Sequence, residues 1–93
     1  MFDKLLNRMW EKIRRREYVM TVHAEEEMAD DGFTIFDVER TVLTGKITER
    51  QKDRLTSESK YLVKGNVLSG RQSVVVAKFG FTGKLVFITV YRK

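Results

Sequence analysis

The sequence predicts an α+β domain: N-terminal helices on one face of a four-stranded antiparallel sheet, which residues 17–21 can widen to five strands. Three observations predict it. Apolar residues recur every three or four positions up to Gly45 and every second position beyond it. Ser69-Gly70 and Thr82-Gly83 punctuate the second half at hairpin spacing. Finally, 93 residues, 42% of them hydrophobic and 33% charged, suffice for one soluble core and no more.

Each element follows from local chemistry. Phe2, Leu5, Leu6, Met9 and Ile13 make an amphipathic helix over residues 2–15, which Arg14-Arg15-Arg16 closes with cations at its negative end. Residues 17–21 are β-prone and short, an edge strand or an extended connector. Thr21 then caps a helix over residues 22–30, and Asp31-Gly32 ends it. Thr34 caps the next, over 35–44, with Asp37 at the capping-box position and Phe33 packing back onto Val38. Beyond Gly45, residues 47–52, 60–67, 72–79 and 85–92 alternate as strands, and the polar stretch 53–59 reads as a mobile loop. In the last strand Val86, Ile88 and Val90 are expected to meet the helices, leaving Leu85, Phe87, Thr89 and Tyr91 on the other face.

Charge is segregated along the chain. The net is +5, but residues 1–16 carry +4, residues 17–40 carry −7, and residues 41–93 carry +8. A basic sheet half beside an acidic helix points to a polyanion on one surface and a basic partner, or a second copy of the chain, on another. The absence of cysteine excludes disulfides and thiol catalysis. Apolar runs are strand-sized and charges interrupt the first helix, so neither a membrane partner nor a signal peptide is expected, and the cytoplasm is the expected location.

His23 is the only imidazole, the one side chain whose ordinary pKa lies near neutrality. A single histidine among helical glutamates is a poor ligand set, so no metal and no cofactor is expected. The residues that remain suit metal-free cleavage of RNA through its own 2′-hydroxyl, which needs a base, an acid and cations around the phosphorane. His23 and Tyr91 are the candidates for proton transfer; Arg50, Lys64, Lys78 and Arg92, with Arg14, Arg15 and Arg16, are the candidates for phosphate. Non-catalytic roles stand beside these: a capping or packing role for His23, and helix-end charge complementarity for the arginine triplet.

His23-Ala24, Met28, Gly32-Phe33-Thr34, Asp37-Val38 and the closing Thr89-Val90-Tyr91 resemble the domain of unknown function 4258 family over about residues 18–92, with residues 1–16 as a helical extension. The resemblance implies a RelE/ParE-like toxin fold, a ribonuclease neutralised by an antitoxin, and His23 and Tyr91 as the positions to watch. It also exposes departures, since Glu27 and Asp31 stand where the family usually has arginine. That substitution favours an alternative, a non-catalytic interaction module that keeps the fold.

Overall fold

The computed structural model describes residues 2–93. The apolar stripe near the N-terminus folds as α1 (Asp3–Arg14), which buries Leu6, Met9 and Ile13. Trp10 Nε1 donates to the Val42 carbonyl at 2.8 Å, so α1 is fastened to the body of the domain. Arg16, in the left-handed region (φ 56°), turns the chain into β1 (Tyr18–Met20).

Both threonine caps form. Thr21 Oγ1 accepts from Ala24 N–H at the start of α2 (Val22–Asp30), and Gly32 (φ 69°) follows its end. Thr34 and Asp37 close a reciprocal capping box on α3 (Ile35–Thr44). Phe33 and Val38 are both buried in the core next to that cap. Burial pushes the Asp37 carboxyl up, but the Thr34 and Leu68 backbone N–H groups, with Arg71 nearby, more than offset it and hold the pKa below the usual carboxylate range.

The sheet comprises β1, β2 (Lys46–Lys52), β3 (Ser59–Asn66), β4 (Gln72–Phe79) and β5 (Leu85–Arg92), in the order β1-β5-β4-β3-β2. The last four are an antiparallel meander; β1 pairs with β5 in parallel, so the five-stranded sheet is mixed. Gly70 (φ 90°) and Gly83 (φ 87°) adopt the left-handed conformation that three-residue hairpin loops require. The 53–58 loop is ordered by its first residue: Asp53 Oδ1 accepts from Leu55 N–H at 2.8 Å and Thr56 N–H at 3.2 Å.

All three helices lie on one face of the sheet, around a core that includes Met9, Ala24, Val38, Val42, Val63, Val75, Leu85, Phe87 and Val90. The alternation expected in β5 is reversed over its first half. Leu85 and Phe87 are fully buried and Val86 is not, because pairing slips between Val76/Thr89 and Ala77/Phe87, leaving Ile88 as an extra residue. This bulge resets the phase, so Val90 also points inward and Tyr91 outward.

α3 sits unusually close to β3. A Cβ at Gly45 or Gly65 would overlap the Thr41 carbonyl, and Thr41 and Ser73, both buried, share a hydrogen bond between their hydroxyls. Gly45 is therefore needed for this approach, since its own backbone is extended (φ −97°, ψ −179°). Tyr18 on the edge strand donates to Glu39 Oε2 on α3 at 2.5 Å, and burial together with that bond pushes its phenol up to about 12.

Two predictions follow from this packing. Gly65→Ala should lower the unfolding free energy by about 1–3 kcal/mol, the usual cost of overpacking, measured by urea denaturation. For Asp37, whose folded pKa is depressed, the stabilisation is present above its unfolded pKa of about 3.9 and lost as pH falls through the folded value. The stability difference between wild type and Asp37→Asn should accordingly shrink between pH 7 and pH 3; a constant difference would refute the linkage.

Candidate functional site

Beyond the end of β1, the edge of β5 is covered by α2. Thr21 N–H donates to the Phe87 carbonyl at 3.0 Å, and Thr21 Oγ1 donates to the Ile88 carbonyl at 3.0 Å. One turn into α2, Glu27 Oε1 accepts from Val90 N–H at 3.2 Å, and Arg92 Nε approaches Asp31 Oδ1 at 3.5 Å. The helix thus supplies side-chain partners to β5 where a neighbouring strand would have supplied backbone.

His23 belongs to this clasp. Its Nε2 lies 3.2 Å from the same Glu27 Oε1, and two-thirds of the side chain is exposed. The structure therefore links His23 through Glu27 to Val90 N–H, the residue before Tyr91, without a hydrogen bond between His23 and Tyr91 themselves. Tyr91 stands on the opposite face of the sheet from Val90 and from Arg92, which turns back to α2.

On that helix-free face, Lys46, Lys64, Val74 and Tyr91 stand opposite one another across β2, β3, β4 and β5. Neighbours in such a row are about 5 Å apart. Lys93 continues β5, its N–H donating to the Gln72 carbonyl at 3.2 Å. Its positive charge, helped by a side-chain contact, holds the Lys64 ammonium below the usual lysine range. Beside the row lies a shallow depression of about 260 Å³, with Thr44, Asn66 and Gln72 among its walls. Three ammonium groups, a phenol and neutral amides make a surface that attracts an anion and offers it donors.

The other residues singled out in the sequence are dispersed. Lys78 is on the same face, but its Nζ is 2.8 Å from Glu58 Oε2. Arg50 stands opposite Tyr61, which is buried edge-on to Phe2, so a bulge at Thr48 has turned it to the helix side. Arg14 and Arg15 contact Glu11 at 3.4 and 3.1 Å, and with Arg16 they lie at the end of α1, away from Tyr91. Sequence reasoning missed Lys46 and Lys93. The available signal was parity: each lies an even number of residues from an outward-facing position, but only register shows that these positions adjoin. Among the described residues no group of three His, Cys, Asp or Glu side chains could hold a metal ion.

The model of the family described as Domain of unknown function (DUF4258) matches residues 20–92. The chain belongs to this family. No curated protein and no solved structure matches it. The family match begins inside β1 and ends with β5, so it spans the α2 clasp and the whole lysine–tyrosine row. α1 lies outside the match yet contributes three buried residues to the same core.

Glu27→Ala should cost about 1–3 kcal/mol by stranding the Val90 N–H. His23→Ala, at an exposed position, should stay within about 0.5 kcal/mol. Chemical denaturation of the two variants measures both; equal losses would show that His23 is the structural member of the pair.

Proposed function

We propose that this protein binds RNA on the helix-free face of its sheet and cleaves it without a metal, in the manner of a toxin-like ribonuclease neutralised by an antitoxin. The observation that carries the reading is the single row of Lys46, Lys64 and Tyr91 in register, with Lys93 beside it. The lysines meet the phosphate, and Lys64, whose pKa is lowered by the adjoining Lys93, can take the 2′-hydroxyl proton on its neutral amine. Tyr91 places a phenolic hydroxyl beside them to protonate the departing 5′-oxygen. His23, across the edge of β5, serves a strand of RNA that runs over that edge, with its imidazole held by Glu27. A RelE-like origin of the fold and a cytoplasmic setting belong to the same reading.

The alternative is a non-catalytic interaction module, and the observation that favours it is the fate of the two arginine positions. Glu27 and Asp31 are consumed in holding α2 to β5, so no cation flanks His23 there. In that case the exposed carboxylates of α2, Glu25, Glu26 and Asp30, face a basic partner or a second copy of the chain.

Binding of a fluorescent RNA over a range of salt decides the first point. Lys64→Ala and Lys46→Ala should each weaken binding and reduce the slope of log affinity against log salt by about 0.7, the single-strand value per phosphate contact. Arg50→Ala should change neither. Incubation with total RNA decides the second: Tyr91→Phe should slow cleavage about 100-fold with binding intact, and His23→Ala should slow it less. Intact RNA after incubation with the wild-type chain across the pH range, together with stable binding to a protein partner, would establish the interaction module instead.

A further inference from the structure

The hairpin loops β2–β3 and β4–β5 emerge at the same end of the sheet, because the four strands form a meander. At their tips stand the two most exposed large apolar side chains of the described residues, Leu55 (96%) and Phe81 (107%). Neither tip is slack. Asp53 Oδ1 grips the Leu55 and Thr56 N–H groups, Ser57 N–H returns to the Asp53 carbonyl at 2.9 Å, and Gly83 N–H returns to the Gly80 carbonyl at 3.0 Å. The two tips are separated by β3 and β4, roughly 10–15 Å at ordinary strand spacing.

The surroundings of the tips are cationic. Residues 14–17, 52–60 and 78–84, which the topology brings to this end, hold eight Lys or Arg and three carboxylates, and Glu11 one turn earlier contacts Arg14 and Arg15. All three carboxylates are engaged: Asp53 by the loop backbone, Glu58 by Lys78, and Glu17 by Lys12 and Arg15 at 4.0 Å. Lys52, Arg54, Lys60 and Lys84 have no carboxylate partner among the described residues. The end is opposite the Lys46–Tyr91 row, so it is a second surface and not an extension of the first.

We propose that this end of the domain docks on an anionic lipid surface, with Leu55 and Phe81 entering the headgroup–acyl boundary and the surrounding cations meeting lipid phosphates. Two features favour lipid over RNA as the occupant. Leu55 has no aromatic face on which a base can stack, yet its loop presents it to solvent as fully as the other presents Phe81. Apolar tips ringed by lysine and arginine match the two layers of a membrane interface, hydrocarbon beneath negative headgroups. No helix among the described residues is long and apolar enough to cross a membrane, and docking of this kind needs none.

The experiment is co-sedimentation of the full chain with phosphatidylcholine vesicles containing or lacking about a third phosphatidylglycerol, beside RNA binding by the same samples. The wild-type chain should sediment with the anionic vesicles only. The Leu55→Ser/Phe81→Ser double variant should bind them at least about 10-fold more weakly with unchanged thermal stability and unchanged RNA affinity. The Arg54→Glu/Lys84→Glu double variant should lose binding in the same way. Failure of the wild-type chain to bind anionic vesicles, or binding that survives both double variants, overturns the proposal. A serine double variant that loses RNA affinity overturns it too, because the tips would then belong to the nucleic-acid surface.

Discussion

β5 carries more of the structure than any other strand, and its behaviour turns on the one extra residue at Ile88. Without a bulge, a strand that buries Leu85 and Phe87 would have to bury Thr89 and Tyr91 as well and expose Val90. The bulge lets one strand place three fully or nearly fully buried apolar side chains in the core and still present Tyr91 outward. It does so at the point where β1 stops pairing with β5 and Thr21 takes over, so one irregularity sets both the phase of the core and the site.

The acidic helix α2 then has a structural reason. A short β1 leaves part of β5 without a neighbouring strand, and unmet backbone groups at a half-buried edge cost free energy. Thr21, Glu27 and Asp31, at intervals along one side of α2, answer the Ile88 carbonyl, the Val90 N–H and the Arg92 guanidinium in turn. An arginine at position 27 could not accept the Val90 N–H, since guanidinium is a donor only. Glu27 and Asp31 therefore set the means by which α2 is held as well as the local charge. They leave His23 next to a carboxylate that is already engaged with the backbone.

Most of the fold was legible in the sequence because it is encoded locally. Thr21 and Thr34 as caps, Gly32 after α2, and the two glycine-ended hairpins each depend on a few adjacent residues, and the structure has them in those roles. The helix and strand limits agree with the expected ones to within one residue at each end. What local pattern could not carry was phase. Bulges at Thr48 and Ile88 arise from how strands meet: the first turns Arg50 to the helix side, and the second reverses the faces expected over the first half of β5. The site was legible only in part for the same reason. Tyr91 and Lys64 lie in one row because of register across β4, and Lys46 and Lys93 join them from positions just outside the strands expected over 47–52 and 85–92.

The segregation of charge along the sequence becomes, in three dimensions, a separation across β5. The carboxylates of α2 line one edge of the strand, while on the helix-free face Lys64 lies two strands away on β3 and Lys93 follows β5 beside β4. Coulombic interaction between exposed charges fades beyond a Debye length of about 8 Å at physiological ionic strength, so the two fields coexist on a domain this small because water and its ions screen each from the other. An anion on the lysine row thus meets the cations at close range and the acidic helix only at longer, screened range, which is why a chain with an acidic helix can still offer a polyanion a favourable face.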